Sequence, residues 1–295
     1  MDLGYLRAHP QHLPTFLTHQ RIRETPVAGG DSCTASRLTL DDGTSVFAKT
    51  WPAATPTPAG FFAAEAAGLR WLRAAGAVPV PEVIAALPDL LACQWIEPGS
   101  PTPAAAERFG GDLADLHRAG ADAFGADWPG FIGRLPQENT GSAGPWPLWF
   151  AERRLLPYLR LSVDRGALAP GADVAAVEGV VERLDRYGGA EPPARIHGDL
   201  WPGNLLWGAD QRVWLVDPAA HGGHRETDLA HLALFGGAPH LDRIIAAYQE
   251  RWPLADGWRE RRPVHQLHLL LVHTALFGAT YREQVLAAVR SAMRA

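Results

Sequence analysis

The sequence predicts an α+β protein of two lobes: a small antiparallel sheet with one helix, then a larger and mostly helical body. Three observations predict it. β-rich runs separated by turn residues fill most of the first hundred positions. The stretch Glu97-Pro98-Gly99-Ser100-Pro101 breaks the composition. Beyond that break, apolar residues recur at helical spacing.

The elements follow in order. "RIRETPV" reads as a strand leading to Gly29-Gly30-Asp31-Ser32. "CTASRLTL" and "TSVFAKTW" flank Asp42-Gly43, a hairpin signal because the turn needs a residue that tolerates positive φ. "PTPAGFFAAEAAGLRWLRAAG" opens on Pro, is rich in Ala and stops on Gly, which marks a helix. Phe61, Phe62, Leu69 and Leu72 are spaced to pack it on the sheet. "VPVPEVIAAL" and "LLACQWI" complete the sheet, giving a first lobe of residues 1–97. The second lobe, 98–295, holds helices at "AAAERFGGDLADLHRAG", "PLWFAERRLLPYLRL", "DVAAVEGVVERLDRYG", "ETDLAHLALFGG", "LDRIIAAYQERW" and the C-terminal run. In this reading Asp112, Asp115 and His117 form a solvated helix face, and chemistry belongs in the cleft between the two bodies.

Composition narrows the function classes. Hydrophobic residues make up 47% of the chain, enough for a substantial core. A net charge of −5 without a basic stripe excludes a nucleic-acid footprint. Two cysteines, Cys33 and Cys93, exclude a disulfide framework or a zinc site of several thiolates. The apolar run "LHLLLVHTALFGA" is too short to span a bilayer, and "MDLGYLRAHP" has no apolar signal core. A cytoplasmic location with no membrane partner is expected, and a monomer.

Lys49 is the single lysine among 27 basic side chains. Lys is a compact point charge where Arg is a planar fork, so its retention in "SVFAKTW" points to a site that needs the point charge. The densest chemistry lies in "RIHGDLWPGNLLWGADQRVWLVDPA", which holds His197, Asp199, Asn204 and Asp217. "VWLVD" reads as a short buried strand ending on Asp217. Phosphoryl transfer needs a carboxylate near the attacking hydroxyl, oxygen ligands for Mg²⁺ and a cation on the phosphates. Asp199, Asn204 and Asp217 supply one base and two ligands, Lys49 the cation, and Glu65 a carboxylate to hold the lysine. His197 is expected to pack under this loop and Asp228 to brace it. His221, His224 and His231 lack the spacing of a metal cluster.

At these residues the sequence resembles the protein-kinase-like small-molecule kinases. "HGDLWPGN" with "DPAAHGGHRETDLAHLALFGG" looks more narrowly like the fructosamine kinases, also called ketosamine-3-kinases. "VAGGDS" resembles their glycine loop, "FAKT" their lysine strand, "FFAAEAAGLRWL" their glutamate helix and "FIGRLPQENT" their segment before the catalytic loop. The resemblance implies a two-lobe protein-kinase-like fold with ATP and Mg²⁺ as cofactors. It makes Asp199 the catalytic base and Asn204 and Asp217 the metal ligands. Gly29, Gly30, Ser32, Lys49 and Glu65 would serve the phosphates, and the hinge Gln94, Trp95, Ile96 and Glu97 would take adenine. Trp201, His224 and Arg225 stand as substrate contacts. The acceptor is a ketosamine, small or protein-bound, phosphorylated on the sugar 3-hydroxyl so that the amine is later freed. Pro202 departs from the Ser usual there, and the glycine loop lacks GxGxxG. Some relatives have a redox-responsive cysteine near the position of Cys33. An aminoglycoside, choline or homoserine kinase shares the chemistry with another acceptor. A nucleotide-binding pseudokinase scaffold is the reading from a different class.

Overall fold

The computed structural model describes residues 2–18, 22–27, 33–52, 54–187 and 191–294. The chain enters through two short helices, α1 (Leu3–Ala8) and α2 (Leu13–Thr18). Asp2 caps α1 by accepting the Tyr5 N–H at 2.8 Å. The sequence reading has only strands in this region before the Phe61 helix. Helices of six residues are too short to set up a 3.6-residue apolar period.

Five strands follow: β1 (Arg23–Val27), β2 (Thr34–Thr39), β3 (Ser45–Thr50), β4 (Val83–Ala86) and β5 (Leu90–Gln94). They form one antiparallel sheet in the order β1-β2-β3-β5-β4. The β2–β3 turn bears Gly43 at φ 81°, as the Asp-Gly signal requires. Side chains alternate across the sheet. Val46, Ala48, Leu90 and Ala92 join Leu6 and Leu13 in a core under α1 and α2. Phe47, Lys49 and Cys93 face the other way, into a cleft. Helix α3 (Phe61–Ala74) buries Phe62, Ala66, Leu69 and Leu72. Phe61, Glu65 and Leu69 lie four residues apart, so one stripe of α3 aims at the same cleft.

The rest is mainly helical. Helix α4 (Pro103–Arg118) starts with Pro103 after Thr102, whose hydroxyl accepts the Ala105 N–H. The small hairpin β6 (Gly130–Ile132) and β7 (Leu135–Gln137) follows. The predicted helix "PLWFAERRLLPYLRL" is α5 (Trp146–Phe150) and α6 (Leu156–Asp164), joined by a π-helical turn at Ala151–Leu155. Next come α7 (Ala172–Val181), β8 (Ala194–Ile196), β9 (Leu205–Trp207), β10 (Val213–Leu215) and β11 (His221–Gly223). β9 pairs with β10 and β8 with β11, both antiparallel. Helices α8 (Glu226–His231), α9 (Leu241–Arg251), α10 (Trp258–Phe277) and α11 (Arg282–Ala292) complete the chain. Gly110 lets α4 lie against α9, since a Cβ there would stand 2.2 Å from the Ile244 carbonyl oxygen. One apolar core runs from Phe62 and Leu91 through Leu113 to Leu200, Leu215 and Tyr248. It ties the sheet to the short strands that carry the polar residues of interest.

His117 corrects the sequence reading. It lies on α4 but is buried, not solvated. Its Nδ1 meets the Tyr248 hydroxyl at 2.9 Å and its Nε2 meets Asp228 at 3.2 Å. Asp115, near it in sequence, does reach the surface and pairs with Arg251 at 2.7 Å.

Candidate active site

β3 brings Lys49, α3 brings Glu65 and the turn after β10 brings Asp217. The Lys49 ammonium donates to Glu65 at 2.9 and 3.1 Å and to Asp217 at 2.7 Å. Burial alone would depress the lysine pKa, but the Asp217 and Glu65 carboxylates outweigh it and hold the group above its ordinary value. The Glu65 carboxyl is pushed up, by burial first and by Asp217, against the pull of Lys49. Asp217 sits at φ 55°, a left-handed conformation uncommon for a non-glycine residue. Such a backbone persists only where the surroundings fix it.

The loop between β8 and β9 is built by hydrogen bonds to backbone. Asp228 accepts the N–H groups of His197 at 2.7 Å and Gly198 at 2.9 Å. Nε2 of His197 donates to the Val216 carbonyl at 2.9 Å, and its Nδ1 accepts the Asp199 N–H at 3.3 Å. That pattern needs the neutral ring, and burial lowers the His197 pKa accordingly. Gly198 has φ 80°, and a Cβ there would stand 2.3 Å from the Ala219 oxygen. Asn204 Nδ2 donates to the carbonyls of Asp199 at 2.7 Å and Asp217 at 3.4 Å. Both partners are acceptors, so the amide orientation is fixed and Oδ1 is left for another group.

These residues open on one cleft of about 620 Å³. Lys49, Glu65, Asp199, Trp201, Asn204 and Asp217 all line it. Asp199 Oδ1 is buried and has no hydrogen-bond partner among the described residues. Burial and the nearby Asp217 carboxylate push the Asp199 pKa well above the usual carboxylate range. The free amide oxygen on Asn204 and the Asp217 carboxylate form an oxygen-only donor pair that fits Mg²⁺, and the orphaned Asp199 oxygen is left for a group that carries a proton. Val27, Ala35, Phe47, Cys93, Leu206 and Val216 add apolar side chains to its lining. Gln94, Trp95 and Ile96 edge the cleft. Neither backbone polar group of Ile96 has a partner among the described residues. A flat heteroaromatic base fits such a lining with its edge on those groups.

The fructosamine kinase family profile matches residues 9–295. The chain belongs to the fructosamine kinase family. A probable ketoamine kinase from Thermus thermophilus is 37% identical over 225 residues, 76% of this chain and 79% of that one. One from Enterococcus faecium is 32% identical over 267 residues, 88% and 91%. The crystal structure of a candidate fructosamine-3-kinase from Thermobifida fusca superposes with a TM-score of 0.88 at 52% identity, covering 93% of this chain and 94% of that one. The fold is thus protein-kinase-like, and the family's activity is ATP-dependent phosphorylation of ketosamines.

Within this fructosamine kinase chain the other expected site residues divide. Trp201 lines the cleft, its ring edge-on to Phe235 at 5.8 Å. Gly203 has no room for a side chain, since a Cβ would stand 2.2 Å from the Trp201 indole. Glu97 does not line the cleft: its carbonyl accepts the Ala209 N–H at 2.8 Å and its carboxylate bonds Trp95 Nε1 at 2.9 Å. His224 and Arg225 are buried away from the cleft. Arg225 pairs with Glu191 at 2.6 Å, donates to the Trp252 and Pro253 carbonyls and lies 3.9 Å above the Trp252 ring. The expected substrate contacts at 224 and 225 are therefore corrected to packing contacts. Gly29, Gly30 and Ser32 lie outside the described residues. His224, Glu226 and His265 bring ligand-type atoms within 4.8 Å of one another, but Arg261 bonds both Glu226 oxygens at 2.9 and 2.5 Å. A cation would have to displace that guanidinium.

Cys33 lines the cleft half-buried, and burial raises its thiol pKa to about 11. A thiol so raised is a poor nucleophile at neutral pH. The sequence reading missed the far wall of the cleft: Trp128, Phe131, Leu269, Val272, His273, Leu276 and Phe277. The last five belong to α10, whose apolar run gives no sign of which residues face a cavity.

Proposed function

We propose that this kinase transfers the γ-phosphoryl group of ATP to the sugar 3-hydroxyl of a ketosamine, and so begins deglycation. The reading is carried by the meeting of Lys49, Glu65, Asp199, Asn204 and Asp217 in one cleft. The cleft would lie between a sheet lobe ending near residue 97 and a helical lobe beyond it. Adenine would lie against the apolar lining and bond the Ile96 backbone.

Asp199, which lines the cleft, holds the acceptor hydroxyl by its unpartnered carboxylate oxygen and takes its proton as the hydroxyl oxygen attacks the γ-phosphorus. The bond to the β,γ-bridging oxygen breaks and ADP leaves with the electron pair. Lys49, kept extended by Glu65, bears on the phosphate oxygens as negative charge shifts toward ADP. Asn204 Oδ1 and the Asp217 carboxylate would hold Mg²⁺, which neutralises charge on the phosphates when bound. Asp228 and His197 keep the loop rigid, so that Asp199 meets the hydroxyl without reorganisation. The 3-phosphorylated adduct is unstable and releases the amine.

The test is ATP consumption on a panel of ribuloselysine, fructoselysine, choline and kanamycin. Turnover confined to the two ketosamines is expected. Turnover of choline or kanamycin alone would assign another acceptor, and none on any acceptor would favour a nucleotide-binding scaffold.

A further inference from the structure

Arg154 heads the fully buried side chains by size, and no carboxylate bonds or pairs with it among the described residues. Its NH1 donates to the carbonyls of Glu138 at 2.6 Å and Arg153 at 3.1 Å. Its NH2 donates to Asn139 Oδ1 at 2.8 Å, and its Nε has no partner. The guanidinium lies 4.3 Å above the Trp149 ring. Burial lowers its pKa to about 9, which leaves it charged at neutral pH. A buried charge without a counter-ion costs several kcal/mol, so a compensating role is expected. It stands on the π-helical turn at Ala151–Leu155, a local departure from α-helix often found at functional sites.

Among the described residues the one side chain that Arg154 hydrogen-bonds is Asn139, which lines the cleft. A guanidinium only donates, so the atom facing it must be the amide oxygen. Gln137 Nε2 donates to the same oxygen at 3.4 Å and also to the Ala219 carbonyl at 3.3 Å. The pair therefore sits beside the segment that follows Asp217. With Oδ1 taken, Asn139 has only Nδ2 for the cleft. That nitrogen donates one hydrogen to the Trp128 carbonyl at 3.4 Å, keeps its second for the cleft, and would be 2.5 Å from a Cβ at Gly130. Trp128 and Gly130 line the cleft too. Nδ2 is thus a fixed, neutral donor, suited to a hydroxyl or carbonyl oxygen and not to an ammonium.

We propose that Asn139 reads the sugar of the ketosamine by donating from Nδ2 to a sugar oxygen, and that Arg154 is the positioning residue that holds the amide that way round. This rests on the ketosamine kinase reading above. Losing such a bond costs about tenfold in affinity. Asn139→Ala is expected to raise the ketosamine KM about tenfold and to leave the ATP KM within about twofold. Asn139→Asp keeps an oxygen for Arg154, so it should fold, with a melting temperature near wild type and the same rise in ketosamine KM. Arg154→Met should raise ketosamine KM, and Arg154→Lys should restore part of it. If Arg154→Met fails to fold, the Asn139 variants still decide. An unchanged ketosamine KM in folded Asn139→Ala and Asn139→Asp, or equal rises in both KM values, would overturn the proposal. Wild-type protein that turns over no ketosamine would overturn the functional reading and this proposal with it.

Discussion

The Lys49 ammonium lies 2.7 Å from Asp217, a residue 168 positions further along the chain. The same nitrogen reaches Glu65 on α3, so one cation bridges two acids that face the cleft. Lys49→Ala leaves those carboxylates opposed, and Glu65 would take up a proton, since burial already raises its pKa. We expect kcat to fall about 10²–10³-fold, the usual effect of removing such a group. Lys49→Arg should recover little, because a planar fork does not replace a point charge between two acids. Steady-state kinetics on a ketosamine with saturating ATP reads both.

Trp201 and Phe277 both line the cleft. Phe277 is 39% exposed and its ring lies 5.5 Å from that of His273 and 5.9 Å from that of Tyr281. Trp201→Ala and Phe277→Ala are each expected to raise the ketosamine KM several-fold with ATP KM unchanged. Equal KM values for wild type and both variants would remove these rings from acceptor binding.

His117 joins Tyr248 to Asp228, and Asp228 carries the backbone of the loop. His117→Leu removes one partner of a buried carboxylate. That loss costs about 1–3 kcal/mol. The melting temperature should fall by several degrees and kcat should fall with it. A variant with wild-type stability and wild-type kcat would show that Asp228 does not depend on this histidine.

His231 is buried, and neither ring nitrogen has a partner among the described residues. Burial lowers its pKa from 6.5 to about 4; Asp228 opposes the shift, and His265 and His197 add to it. Between those values the unfolded chain binds a proton that the folded chain does not. Stability therefore falls as pH drops from about 6.5 to about 4. His231→Leu removes this loss and the unpaired ring. Its gain in melting temperature over wild type is expected to be larger at pH 5 than at pH 7.5. An equal gain at both values would mean the ring does not titrate this way.

Much of this site was legible because it is local in sequence. Asp199 and Asn204 share a loop, and Asp217 follows the four apolar residues 213–216. The hairpin at Asp42-Gly43 and the helix carrying Glu65 also announce themselves by turn chemistry and periodicity. What the sequence could not show depends on tertiary neighbours. His117 looks like a surface residue beside Asp115, and only the packing of α4 against α9 turns it inward. Arg225 looks free to meet a phosphate, yet Glu191 and Trp252 claim it. Strands of three residues, such as β6 and β7, are too short to leave a pattern, and with them Asn139 and Trp128 stayed hidden.

The central claim is that Asp199 performs phosphoryl transfer to a ketosamine in a cleft that binds ATP without its help. Asp199→Asn measured two ways tests it most directly: ribuloselysine turnover and ATP affinity by calorimetry. Turnover lost by at least about 10³-fold with ATP affinity near wild type is the expected result. Turnover within tenfold of wild type, in protein that still binds ATP, would contradict it.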